Sequence, residues 1–254
     1  MNDLPEVFWN ATLEEVKRGY VYRSDTSEYI CLVCGASFFK GIIYQDNNIF
    51  YEAEKYTKVH IEKEHSSMFE YLLNLDKKFT GLTEHQKNLL NMFYQGFSDN
   101  EIVKKTDVGS TSTIRNHRFT LREKEKQAKV FLSIMELLNE KSAKKQNFIN
   151  LHRSATMVDE RYAITEEENE QTLIKFFKEG LEGPLSDMPV REKSKISVLR
   201  HIVRRFDLNR KYTEKEVNEI LMRIYHDYAT IRRYLIEYGF MDRKNDCSLY
   251  WVKV

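Results

Sequence analysis

Proline and glycine are scarce here, at 3 and 9 of 254 residues, while 31% of the chain is charged. Few breakers and many charges argue against a turn-rich all-β chain and for a helix-rich one. Cysteine is nearly absent. Three cysteines make no disulfide framework, and two of them share one C-x-x-C pair, which fits a reducing cytosol. No apolar run is long enough to span a bilayer, and the N-terminus lacks a basic start followed by an apolar core. Neither a membrane nor a secretion route is therefore expected, and a cytoplasmic location is. Also missing are a glycine-rich phosphate loop, a Ser/His/Asp order and a paired-carboxylate site, so no catalytic residue and no enzyme activity are expected.

The net charge of +1 hides a segregation. Residues 101–153 hold 12 Lys/Arg against 6 Asp/Glu, a local +6. Residues 159–187 hold 3 against 9, a local −6, and residues 190–254 hold 15 against 9, again +6. Two basic blocks around an acidic connector suit two surfaces facing polyanions, although helical surfaces also vary in charge without such a partner.

The most informative stretch is residues 82–117. Leu82, Leu89, Leu90 and Phe93 recur at helical spacing and define one buried face. Ser98 stands three residues before Glu101, a capping-box start for a short helix that carries Ile102 and Val103 inward. Asp107, Gly109 and Ser110 make a break. A third helix then opens with polar Ser112, Thr113, Arg115, Asn116 and Arg118 around one inward Ile114. This is a helix-turn-helix order with a polar, basic leading face. The residues resemble the DNA-binding domain of the LuxR/GerE response-regulator class, in which a run like LT..Q...L.....G.S..EI precedes a T-I/V-K/R-N-H recognition helix. Thr113-Ile114-Arg115-Asn116-His117 matches that helix.

The resemblance covers residues 82–121 and departs at two places. Gly109 lengthens the turn by one residue, and Arg118 stands where the class carries an apolar side chain. The first half also resembles region 4 of sigma factors, but Asn116-His117 favours the LuxR side. The resemblance implies a helix in the major groove of duplex DNA. Thr111, Ser112, Thr113, Arg115 and Asn116 would lie near the bases, with Arg118 and Arg122 on its basic side and Lys104 on phosphate. His117 would either donate to a phosphate or cap the core of the helix trio.

The N-terminal region carries a metal constellation. Cys31-Leu32-Val33-Cys34-Gly35 is a C-x-x-C knuckle with glycine directly after it, where the backbone must turn tightly. His60 and His65 supply H-x4-H on a helix. Two thiolates and two imidazoles make a closed tetrahedral set suited to structural Zn2+. The 25 residues between Cys34 and His60 contain a hairpin, Ile42-Ile43-Tyr44 and Ile49-Phe50-Tyr51 around residues 45–48, so a ββα-like unit with an enlarged hairpin is expected. The alternative is a redox C-x-x-C with two unrelated histidines, but redox pairs open a helix after a strand rather than precede a glycine turn. Four protein ligands leave no open position for water, which argues against a catalytic zinc. Residues 8–20, with Thr12 and Glu15 at capping-box spacing, should form a short helix on this unit.

The third helix does not stop at His117. Neither proline nor glycine occurs from Leu121 through Leu138, and Ala128, Phe131, Leu132, Met135 and Leu138 make a stripe at 3–4-residue spacing. Regulators of the class dimerise through the helix after the recognition helix, so a homodimer is the leading account of the stripe. An intramolecular contact is the alternative. Residues 139–165 are polar and weakly periodic and read as a hinge. A helix from Glu166 to Leu181 follows, with Leu173, Ile174, Phe176 and Phe177 inward.

The C-terminal region has its own order. Lys193–Phe206 is an amphipathic helix, Thr213 and Glu216 cap a second, and residues from Asp227 to Tyr238 form a third that Gly239 stops. Phe240 to Val254 alternates like a hairpin. Three helices and a hairpin are winged-helix architecture. YTEKEVNEIL, DYATIRRYLIEYGFMDR and SLYWV resemble a bacterial C-terminal domain family of uncharacterised function found in transcriptional regulators. Arg232 and Arg233 either touch DNA or pair inside the domain with Asp227 or Glu237.

The expected fold is therefore mainly α with small β elements. Its parts are a zinc unit over residues 1–78, a helix-turn-helix and long helix over 79–140, a linker and connecting helix over 141–187, and a winged-helix-like domain over 188–254. The expected function is sequence-specific binding of duplex DNA by a dimeric transcriptional regulator. The alternative is a sigma-like or accessory factor acting through RNA polymerase.

Overall fold

The computed structural model describes residues 4–106, 109–141, 147–150, 152, 154–156, 159–208 and 210–253. Asp107, in the expected break, and residues 142–146, 151, 153, 157 and 158 of the expected hinge lie outside them. The protein is mainly helical with small sheets, as the sequence implies. It divides into two compact units, residues 1–71 with 147–254, and residues 72–146. No helix among the described residues is long and apolar enough to cross a membrane.

The first unit begins with two short helices, α1 (Leu4–Asn10) and α2 (Leu13–Arg18), where one was expected over residues 8–20. Thr12 is the reason. Its hydroxyl caps the backbone of Glu15 while Glu15 reaches back, so the capping box starts a new helix instead of lying inside an old one. Strands β1 (Tyr20–Arg23), β2 (Glu28–Cys31) and β3 (Ser37–Phe39) form an antiparallel sheet in that order. A separate hairpin, β4 (Ile43–Asp46) and β5 (Ile49–Glu52), turns at Asn47 and Asn48, both at positive φ. Asparagine tolerates that left-handed turn better than most residues. Helix α3 (Ala53–His65) buries Ala53, Thr57 and Ile61, and α4 (Met68–Asn74) follows.

The second unit holds α5 (Lys77–Thr80), α6 (Glu84–Tyr94), α7 (Asp99–Lys105) and α8 (Thr111–Lys141). Capping boxes at Thr83/Gln86 and Ser98/Glu101 start α6 and α7. The core is small: Leu89, Ile102 and Ile114 are fully buried, with Met92, Phe93, Phe97 and Val103 packed around them. Helix α8 spans 31 residues, yet Ile114 is the one buried side chain among its described residues.

The rest of the first unit corrects the expected hinge. The strap from Asn147 to Thr165 bridges Phe148 to Thr165 and donates Ile149 N–H to the Ile164 carbonyl at 2.9 Å. Ile149, Ala155, Tyr162 and Ile164 enter the same core as the C-terminal helices. A few apolar residues at irregular spacing therefore do what no period announced. Helix α9 (Glu166–Phe176) ends earlier than the expected Leu181. Phe177 leaves helical geometry to bury its ring against His201, 4.9 Å away, and that burial outweighs another helical turn.

Helices α10 (Glu192–Val203), α11 (Glu214–Met222) and α12 (Tyr228–Glu237) and strands β6 (Lys211–Tyr212), β7 (Met241–Arg243) and β8 (Tyr250–Val252) complete the chain. The sheet order is β6-β8-β7. The strand between the first two helices adds a third member to the expected hairpin and gives the full winged-helix order. Ile196, Leu199, Ile202 and Phe206 meet Val217, Leu221, Ile231 and Leu235 in a broad core. Arg200 of α10 reaches Glu6 of α1 at 2.6 Å, tying the two ends of this unit together.

Candidate metal centre and candidate nucleic-acid interface

The C-x-x-C knuckle closes the β2–β3 hairpin. Cys31 ends β2, its N–H donates to the Ala36 carbonyl at 2.9 Å, and Gly35 turns the chain at φ +78. The β4–β5 hairpin foreseen from the sequence is thus an insert between the knuckle and α3, not the hairpin that carries the cysteines. His60 and His65 come from the end of α3. Five residues apart, they would point about 140° away from each other on a regular helix. His65 is the last helical residue, and Ser66 leaves the helix at φ 59, so the end of α3 is not bound to that angle.

The four donor atoms of Cys31, Cys34, His60 and His65 all lie within 4.8 Å of one another. Cys34 Sγ and His60 Nε2 are 3.2 Å apart, and the two imidazole rings meet edge-on at 5.1 Å. His65 Nε2 is buried with no hydrogen-bond partner, which is what a ligand atom looks like without its ion. A hydrogen bond with Cys31, helped by burial, pushes the Cys34 thiol up to about 11. Two close sulfurs resist ionising together until a cation shares their charge. The donors suit a metal ion. Phe38 packs 5.2 Å from the His60 ring and 5.1 Å from Tyr56, backing the site with aromatic surface.

On α8, Ser110 caps the first turn, accepting from Thr113 N–H at 3.3 Å and touching the Ser112 and Thr113 hydroxyls. Sequence reading placed Ser110 in the break and missed this role. Ser112, Thr113, Arg115 and Asn116 are exposed on the opening turns and Thr111 is half-buried, while Arg122 and Lys104 are also exposed. His117 faces inward to His85, ring centroids 5.0 Å apart. Arg118 is also turned inward. Its Nε lies 3.0 Å from Asp99 Oδ1, and its guanidinium sits 3.6 Å from the Phe93 ring centroid. The departure from the LuxR-type pattern thus has a local cause: the guanidinium plane covers an aromatic ring that an apolar side chain would otherwise cover.

Farther along α8, Phe131, Leu132 and Leu138 of the expected stripe are exposed, Met135 is 37% exposed, and Ala128 is open as well. Val130, Ile134 and Leu137 are exposed too, although the stripe omitted them. At about 100° per residue, the apolar positions from 128 to 138 cover more than half the helix circumference. In the C-terminal region Arg232 lies 2.7 Å from Glu214 and bonds to Asn218. It is therefore held inside the domain, by partners on α11 rather than by Asp227 or Glu237. Arg233 is exposed.

Residues 184–252 match the model of a family described as "Uncharacterized protein conserved in bacteria (DUF2087)". The match covers α10 to β8 and agrees with the resemblance read from the C-terminal sequence. No curated protein matches the chain, and no solved structure does.

Proposed function

We propose that the protein is a zinc-stabilised transcriptional regulator that binds duplex DNA through the first turns of α8 and dimerises through the second half of that helix. The observation that carries this reading is the leading face of α8. Polar Ser112, Thr113, Arg115 and Asn116 stand exposed together, while Ile114 alone anchors the same turns in the core. Arginine can hold guanine and asparagine can hold adenine in bidentate contacts, each worth about 1–3 kcal/mol of discrimination. Exposed Lys104 and Arg122 suit phosphate contacts, which add affinity without sequence information. The zinc is structural in this reading, because four protein ligands leave it no open position. Its chemistry is to hold the β2–β3 knuckle against α3.

Dimerisation follows from the bare apolar half of α8. Phe131 is 65% exposed and Val130 60%, on a helix too charged before residue 128 to bury itself. The same surface supports a second reading, an accessory factor that seats this helix on RNA polymerase. A mobility shift on sheared bacterial DNA at graded salt separates the two. The regulator gives a specific band without polymerase, with affinity falling steeply as salt rises. Binding seen only when polymerase is added would establish the second reading and end the first.

A further inference from the structure

Arg118 lies over the ring of Phe93, 3.6 Å from its centroid, and Lys105 lies over that of Phe97 at 4.0 Å. Phe119, next to Arg118 in the chain, is left bare. It stands 63% exposed on α8. Full burial of such a ring would contribute about 1.5–3 kcal/mol, and the small core of this unit does not collect it.

The place of that ring on the helix is informative. Ile114 is buried, His117 turns to His85 of α6, and Arg118 turns to Asp99 of α7, which fixes the inward side of α8. At about 100° per residue, Phe119 falls on the other side, within about 20° of Ser112 one heptad earlier. Arg115 and Asn116, four and three residues before it, flank that line on either side. Both are exposed, Arg115 by 73% of its side chain. Phe119 is thus the central side chain of the same face, one turn beyond the two polar ones, with exposed Arg122 following it.

A ring at that place has one good partner in duplex DNA. The major-groove edges of guanine, cytosine and adenine offer hydrogen-bond donors and acceptors, whereas thymine adds a C5 methyl group. Packing a phenyl ring on that methyl takes apolar surface out of water on both sides. Packing it on another base edge would strip water from a donor or acceptor and return no hydrogen bond. We propose, on the reading that α8 enters the major groove, that Phe119 is a specificity-determining residue that selects thymine through its methyl group. The thymine lies about two base pairs from the one held by Arg115, since four residues of helix rise about 6 Å and base pairs stack about 3.4 Å apart.

The test selects bound sequences from random duplex DNA with the full-length, zinc-loaded protein. Thymines of the selected site are then replaced one at a time by deoxyuridine, which lacks only the methyl. At one or two thymines this should weaken binding about fourfold, the factor that corresponds to about 0.8 kcal/mol for one buried carbon. Phe119→Ala should weaken binding to thymine DNA by at least that factor and lose the response to deoxyuridine. Its circular dichroism should be unchanged, because the ring is exposed. Arg115→Ala should bind more weakly yet keep the response. A selected site without thymine, one in which every thymine tolerates deoxyuridine, or a Phe119→Ala protein that still tells the two bases apart would overturn the proposal. In those cases continued dependence on Arg115 and Asn116 leaves α8 as the reader. Failure to select any sequence, or a site that Arg115→Ala and Asn116→Ala bind unchanged, would overturn both.

Discussion

Residues 84–141 and residues 192–252 both contain three helices in succession, yet they hold together in opposite ways. In the first body Leu89, Ile102 and Ile114 are the fully buried side chains, and α8 leaves most of its length in water. In the second, α10 alone buries Ile196, Val198, Leu199 and Ile202, and the core continues through α11, α12 and the sheet. Each fully buried aliphatic side chain contributes about 1.5–3 kcal/mol, so the first body has little margin and the second has much. Their arginines differ by site rather than by body. Arg115 stands 73% exposed on the third helix of the first body with its Nε 4.0 Å from Asp99, while Arg118, three residues on, is held by Asp99 and Phe93, and Arg232 of the second body by Glu214 and Asn218.

The largest effect expected lies in residues 20–65, where Cys31, Cys34, His60 and His65 stand together as a candidate metal centre. Chelating the ion, or Cys31→Ala, should remove roughly 10 kcal/mol of coupled binding and folding energy. Hydrogen exchange should then show β1–β3 and α3 unprotected while α6 and α7 keep their protection; an unchanged pattern would mean the metal is not structural. Because coordination needs the Cys34 thiolate, and that thiol is raised to about 11 without metal, binding releases a proton. Metal affinity should therefore fall as pH is lowered, read by competition with a chromophoric chelator.

Ile114→Ala should cost about 2–5 kcal/mol and melt α6–α8, since the core there has so few members. Ile231→Ala should cost a similar amount yet leave the C-terminal body folded. Separate melting transitions by hydrogen exchange would sharpen the contrast, and one shared transition would break it. Next in size is the seam: Phe131→Glu with Met135→Glu should weaken the free energy of dimerisation by roughly 3 kcal/mol or more, because two charges enter an apolar interface. Light scattering should report monomers for this variant, and a monomeric unmodified protein would end the dimer reading.

Arg115→Ala with Asn116→Ala should lower affinity for a specific site by about 1–3 kcal/mol per contact at unchanged circular dichroism. If footprint and affinity stay as they were, α8 is not the reader. Arg232→Ala is the smallest change expected. Its pair is partly exposed on the Glu214 side, so about 1 kcal/mol of stability should be lost, with DNA affinity untouched. A loss of DNA binding would show that the C-terminal body, too, faces the nucleic acid.

The sequence by itself determined what local chemistry decides. The C-x-x-C-G knuckle and H-x4-H pair named Cys31, Cys34, His60 and His65 before any contact was visible, because metal ligation demands particular donors at short spacing. Capping boxes at Ser98 and Thr213 marked helix starts, since the bonds they make span three residues. The C-terminal helices were legible from their 3.6-residue period. Only the tertiary structure decided the rest. Periodicity tells which side chains avoid water, not what covers them, so the strap of residues 147–165 read as a hinge until Tyr162 and Ile164 were seen in the core. A two-residue strand such as β6 has no period to detect. Arg118 and Arg232 carry the same charge as Arg115 in the sequence. Only the placement of Asp99, Phe93, Glu214 and Asn218 around them determines which arginine is held inside and which one faces water.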